Sequence, residues 1–238
     1  MSRDTNPMQF LSAQADPAAT LQPRGSLGDV VYEALLSRLI SLAIAPGNRI
    51  AVDALVRELG VSQTPIRAAL IRLESEGLVV KTHNVGYSAA PLPSPQRFAE
   101  IYEMRLLLEP HAAARAAATL TPETLAELEA IADTMARPQA DVASLAYGKF
   151  AMHDANFHDW IAAHSGNDLI AEALSRLYAH THLFRLRFHT HVTEDAVLEH
   201  AAIMAALKKG DPQAAHDAMK EHILRSRNRM DPFLAERR

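Results

Sequence analysis

Asp154 and His158 stand four residues apart in F-A-M-H-D-A-N-F-H-D-W-I, a step that places both side chains on one face of a helix. Phe150, Ala151, Phe157 and Ile161 share that face, so it is expected to turn inward. A carboxylate aimed into a helical interior is costly unless a cation or hydrogen-bond donors compensate it. His200 lies on a stripe with Ile203, Met204 and Leu207, and His222 follows Ala218 and Met219 on the last helix. One aspartate and three histidines from three inward faces make a metal-ligand set at the centre of a bundle. Imidazole with carboxylate suits a borderline divalent ion, Zn²⁺ first, with Ni²⁺ or Mn²⁺ as alternatives. His153, beside Asp154, projects about 100° away on an ideal helix and is left out. His164, His180, His182, His189, His191 and His216 read as surface, interfacial or satisfied core residues.

A second group suits a different chemistry. Ser62, Gln63, Thr64 and Arg67 open a segment whose Ile66, Ala69, Leu70 and Leu73 recur at helical spacing, and Gly77 stops it. Val52–Leu59, closed by Gly60, is a short amphipathic helix just before it. Two short helices joined by a Gly-containing turn form the helix-turn-helix pattern, whose second helix enters the DNA major groove. The four polar side chains at its start reach phosphates or base edges. Taken alone, Arg67 could equally pair with a neighbouring carboxylate on the surface; its setting favours DNA.

The elements that would position these groups come from the rest of the chain. Val31, Leu35, Leu39 and Ile40 predict a first helix ahead of a Pro46-Gly47 turn, and Leu78–Lys81 with Tyr87–Ala90 predict a β-hairpin wing. Residues 1–24 read as a flexible tail, 25–92 as the winged unit, 93–95 as a stiff linker with Pro91 just ahead of it, and 96–238 as helical. Ser94-Pro95, Thr121-Pro122 and Asp211-Pro212 each place a capping side chain before a proline, and Thr193 precedes two acids. Six helices are expected, near 95–119, 122–136, 142–163, 167–189, 194–209 and 212–229, with Pro110 kinking the first. The fold class is therefore mainly α: an N-terminal winged helix-turn-helix followed by an antiparallel helical bundle.

The net charge of −4 lies wholly in residues 93–238, which hold sixteen basic and twenty acidic side chains. Residues 25–92 hold six of each, so operator affinity is expected to rest on dimerisation and shaped contacts rather than on a basic surface. No apolar run approaches the ~20 residues of a membrane span, and the first 25 residues lack a signal peptide's apolar stretch. There is no cysteine, hence no disulfide and no thiolate ligand, which suits the cytoplasm.

I-A-P-G-N-R-I at 44–50, L-G-V-S-Q-T-P-I-R at 59–67 and L-I-R-L-E-S-E-G-L-V at 70–79 resemble the winged-helix domain of GntR-family bacterial transcription regulators. The family usually has Arg where this chain has Gln63, and N-R-G in the wing where it has Asn84-Val85-Gly86. The resemblance thus adds Asn84 and Gly86 of the wing to the DNA contacts. Gln reads adenine where Arg prefers guanine, so the operator is expected to differ at that base. The second half resembles the FCD effector-binding domain of FadR-type members. The matching pieces are E-M-R-L-L-L-E-P-H-A-A-A-R-A-A at 103–117, D-x-x-x-H at 154–158, His200 closing L-E-H, and His222 in M-K-E-H-I. Six helices suit the shorter, VanR-like variant. In that domain the metal docks a small carboxylate. Arg105, on the Ile101, Leu108 and Ala112 stripe, is the candidate effector contact, unless it merely pairs with Glu109.

Three functions are consistent with these residues. The first is a homodimeric regulator, usually a repressor, that binds a palindromic double-stranded operator and is released by an organic acid on the metal. The second is a metal-dependent hydrolase or lyase in which the His₃Asp site activates water; it leaves the winged helix unused and no helix offers it a clear general base. The third keeps DNA binding and makes the metal purely structural.

Overall fold

The structure, a computed structural model, describes residues 26–137, 143–177 and 191–235. The expected tail 1–24 and the continuation of the fourth bundle helix to residue 189, with His180, His182 and His189, lie outside the described residues.

The N-terminal unit is a winged helix. Helix α1 (Leu27–Ile40) starts in a capping box: Ser26 accepts from the Asp29 amide, and the Asp29 carboxylate accepts from the Ser26 amide. Helix α2 (Val52–Leu59) ends at Gly60, whose φ of 66° is open to glycine at no steric cost. Helix α3 (Gln63–Ser75) comes next, with Ile66, Leu70 and Leu73 fully buried against Leu35 and Leu39 of α1. Tyr32 of α1 donates its hydroxyl to Glu76, and Arg72 of α3 stacks over the Tyr32 ring at 3.6 Å, which fastens the two helices at their rim.

The wing is a three-stranded antiparallel sheet of order β1-β3-β2, with β1 at Arg49–Ile50, β2 at Val79–Thr82 and β3 at Gly86–Ala89. The hairpin register pairs Val79 with Ala89 and Lys81 with Tyr87. Both hairpin strands sit one residue from the sequence expectation, because ladder pairing rather than apolar content fixes their ends. The two-residue β1 carries no period for sequence to reveal. Asn84 turns the hairpin at φ 60°, a left-handed conformation that Asn tolerates through its short polar side chain.

Helices α4 (Pro95–Thr119), α5 (Pro122–Ala136), α6 (Ala143–Ala163), α7 (Asp168–Leu177), α8 (His191–Lys208) and α9 (Pro212–Ala235) form the helical domain among the described residues. Ser94 and Thr121 cap α4 and α5 ahead of their prolines, and Asp211 accepts from the Ala214 amide at the start of α9. Thr193 stands inside the first turn of α8 rather than before it, because the helix already begins at His191, further towards the N-terminus than the acids alone suggest. Helix α4 continues through Pro110 to Thr119. Among the described residues, no helix is long and apolar enough to cross a membrane.

Two cores position the functional residues. One, around Phe98, Tyr102, Phe157, Ile203, Met219 and Ile223, holds α4, α6, α8 and α9 together. The other is the winged-helix core, and it does not stop at the linker: Met135 of α5, Tyr147, Phe150 and Ala151 of α6, and Ala196 of α8 are part of it. Helix α6 crosses α1 so closely that a Cβ at Gly148 would lie 2.9 Å from the Ser37 Cα.

Candidate metal centre and nucleic-acid interface

Asp154, His158, His200 and His222 come together from α6, α8 and α9, all buried, with one ligand atom from each lying within 4.8 Å of the others. His158 Nε2 and His200 Nε2 are 3.2 Å apart, and His200 Nε2 is 3.4 Å from Asp154 Oδ1. Two ligands bound to one ion at ~2.0–2.1 Å and a tetrahedral angle would be about 3.3–3.4 Å apart. The spacing of these two pairs thus suits one ion, while a pair at the 4.8 Å limit would have to close by about 1.4 Å to reach tetrahedral spacing.

The far side of the His222 imidazole is fixed as a metal-binding histidine requires, and that of His158 faces a carboxylate. His222 Nδ1 donates to Glu199 Oε2 at 2.9 Å, and Glu199 is gripped by both terminal nitrogens of Arg229, at 2.6 and 2.9 Å. Nε2 of His222 is thereby left as the donor atom facing the cluster. Burial pushes the Glu199 carboxyl up, but hydrogen bonds from His222 and Arg229 outweigh it and hold it at about 2. Burial also pulls His222 below the ordinary imidazole range, which keeps it in the neutral form a metal needs. On the other side, His158 Nδ1 lies 2.7 Å from Glu109 Oε2.

Arg105 is buried beside the cluster, and its Nε and Nη2 meet Glu109 at 2.6 and 3.3 Å. The pairing that sequence offers as the alternative is therefore present, and it ties Arg105 to His158 through one carboxylate. Burial disfavours the Arg105 charge, and Glu109 more than restores it.

Glu199 and Arg229, which hold His222 from behind, are missed by sequence reasoning. Each carries a weak signal: Glu199 adjoins His200, and Arg229 lies seven residues, two helical turns, beyond His222. Such signals gain meaning only once α8 and α9 are known to pack side by side. His164 and His216, read as bystanders in the sequence, stay away from the centre. His164 stacks on Trp160 at 3.5 Å, and His216 is on the surface beside Asp217.

In the winged helix, Ser62, Gln63, Thr64 and Arg67 are all exposed at the start of α3, and Asn84 and Gly86 are exposed on the wing. Ser62 precedes the helix in extended conformation with no side-chain capping bond. Gln63 donates to Asp53 of α2 at 2.9 Å and accepts from Arg67 Nη2 at 3.2 Å. These polar groups form one outward strip on the helix that a helix-turn-helix presents to DNA.

Residues 100–225 match the FCD domain, and residues 27–88 match the family described as bacterial regulatory proteins, gntR family. This chain belongs to the GntR family of transcription regulators and carries an FCD domain. An uncharacterized HTH-type transcriptional regulator in an unstable DNA locus of Streptomyces ambofaciens is 28% identical over 195 residues, 81% of this chain and 80% of that protein. The HTH-type transcriptional repressor RspR of Escherichia coli is 24% identical over 205 residues, 85% of this chain and 88% of that protein. In fold, the chain is similar to E. coli McbR/YncC, with a TM-score of 0.65 at 23% identity, covering 90% of this chain and 99% of that one. The relatives are transcriptional regulators rather than enzymes, so the hydrolase or lyase reading falls. The winged helix is accordingly a DNA-binding domain, and the helical domain holds a cluster able to take a metal ion.

Proposed function

We propose that this regulator binds a palindromic operator as a homodimer, as a repressor, and that a small carboxylate docking on a divalent ion held by Asp154, His158, His200 and His222 controls its hold on DNA. The observation that carries this reading is the shared core. Ala151 of α6 lies three residues before Asp154, and Ala196 of α8 lies four before His200; both alanines belong to the winged-helix core. A shift of either ligand is therefore passed within about one helical turn to the seat of the DNA-binding domain. An effector that binds one arrangement of α6 and α8 more tightly shifts operator affinity by that difference.

Zn²⁺ is the ion proposed first, since three imidazoles and a carboxylate suit it, with Ni²⁺ or Mn²⁺ next. When bound, the ion would supply a Lewis-acidic centre for a ligand oxygen. Arg105 is proposed to meet the effector's carboxylate beside the ion while Glu109 keeps its Nε edge. Ser62, Gln63, Thr64 and Arg67 are proposed to contact the major groove, and Asn84 and Gly86 the DNA at the wing. RspR is named a repressor, which supports that sign here, and a DNA-binding role is consistent with the cytoplasm.

The test is operator binding, by fluorescence anisotropy, of Zn²⁺-loaded protein titrated with glycolate, a 2-hydroxycarboxylate able to chelate, and with methylamine as a cationic control. Weakened operator binding with glycolate alone supports the reading. Operator binding insensitive to glycolate and to a panel of other small carboxylates favours a structural metal.

A further inference from the structure

We propose that Asp53, on the first of the two helices of the helix-turn-helix, is a positioning residue that sets base specificity by holding the Gln63 amide in the orientation in which it reads DNA. This rests on the reading of Gln63 as a major-groove contact and names the residue that aims it. Asp53 is the second residue of α2 and Gln63 the first of α3, so only the turn at Gly60 brings them together. Gln63 Nε2 donates to Asp53 Oδ1 at 2.9 Å. Gln63 Oε1 in turn accepts from Arg67, from Nη2 at 3.2 Å and from Nε at 3.4 Å. All three side chains are exposed.

A carboxylate at one end and a guanidinium at the other settle which way the amide points. Turned over, it would set Oε1 against the Asp53 carboxylate and Nε2 against the Arg67 donors, with no hydrogen bond at either end. In the observed orientation both neighbours polarise the amide in the same sense, so each bond strengthens the other. Asp53 takes one of the two N–H groups of the amide, and the Arg67 fork takes one lone pair. One N–H and one lone pair remain, the combination that pairs with N7 and N6 of adenine. Asp53 itself is poorly suited to direct contact: its charge repels phosphates, and it has no proton to give to the acceptor atoms of guanine or thymine. Its place at the positive end of the α2 dipole favours a carboxylate there but demands no bond to Gln63. Without Asp53 the amide would turn freely, and the cost of fixing it would fall on the matching base pair, where it must be held.

The experiment uses the full-length protein and a duplex that the wild type enriches from a random library, changed afterwards one base pair at a time. Competition titrations give the discrimination at each pair, with the fold of each variant checked by circular dichroism. Gln63→Ala identifies the pair that Gln63 reads. At that pair Asp53→Ala is expected to lower discrimination about two- to tenfold. Asp53→Asn, whose Oδ1 still accepts from Gln63, is expected to keep it. Both variants remove one negative charge and should raise affinity for every duplex alike, so their difference separates the hydrogen bond from the charge. With Gln63→Ala already present, Asp53→Ala should change discrimination no further. Discrimination in Asp53→Ala equal to that in Asp53→Asn overturns the proposal. So does a loss that persists in the Gln63→Ala background, because Asp53 would then act on DNA without Gln63. If Gln63→Ala alters discrimination at no pair, the base contact itself falls, and this proposal with it.

Discussion

Gly148→Ala tests the α1–α6 joint through which the proposed control of DNA binding would pass. The added Cβ would lie 2.4 Å from Ser37 Oγ, 2.9 Å from Ser37 Cα and 3.0 Å from Ser37 Cβ. The hydroxyl can rotate away, but the Cα and Cβ of a buried residue in mid-helix cannot. To restore ordinary contact α1 and α6 must separate by about half an ångström, which breaks packing around Leu36, Tyr147 and Ala151. Overpacking of this kind costs about 1–3 kcal/mol. Against it stands the gain of Ala over Gly inside a helix, about 1 kcal/mol. The expected result is a net loss of about 1 kcal/mol in urea unfolding, with an altered operator affinity because the winged helix is reseated on the bundle. Gly28→Ala is the control: its Cβ would meet only Ser26 Oγ, at an ordinary 3.4 Å, so it should be neutral or slightly stabilising. If Gly148→Ala behaves like Gly28→Ala in both stability and operator binding, α1 is not seated tightly on α6.

Three other substitutions separate the two ends of the molecule. Arg67→Ala should weaken operator binding by about 1–3 kcal/mol, roughly five- to 150-fold, in a gel-shift or anisotropy titration; unchanged affinity would remove Arg67 from the interface. His200→Ala deletes one of the four proposed ligands and should abolish stoichiometric metal by elemental analysis while DNA binding survives. Global unfolding of that variant would instead point to a structural ion. Glu199→Gln should leave the fold intact and lower metal affinity about 10–100-fold, because His222 loses a charged acceptor and Arg229 its carboxylate. A metal titration that overlays the wild type would show that Glu199 does not orient the ligand.

Much of this molecule is legible in its sequence because the relevant signals are local. A proline after a capping residue fixes a helix start wherever it occurs, and Ser94-Pro95 and Thr121-Pro122 begin α4 and α5 where expected. Three- and four-residue apolar steps name the buried face of α3, and the same rule puts Asp154 and His158 on one inward face of α6. Isolated polar residues on apolar faces are enough to nominate all four members of the cluster, since burying such groups without a shared purpose is costly. The family is legible in ordered motifs for a related reason: a helix-turn-helix with a wing needs particular turns at particular places.

What sequence leaves open depends on which helix lies beside which. Arg105 has two partners within reach, an effector and Glu109, and only the packing of α4 against α6 brings Glu109 between Arg105 and His158. Glu199 and Arg229 sit 30 residues apart on different helices, and their grip on His222 exists only because α8 and α9 run side by side. The linker at 93–95 suggests two separable units, yet Tyr147, Phe150 and Ala196 complete the core of the first from within the second. Periodicity reports that a residue is buried, not what it is buried against. Sequence determined the parts and nominated the four clustered residues; tertiary packing alone decided that the helices carrying them also hold the DNA-binding domain in place.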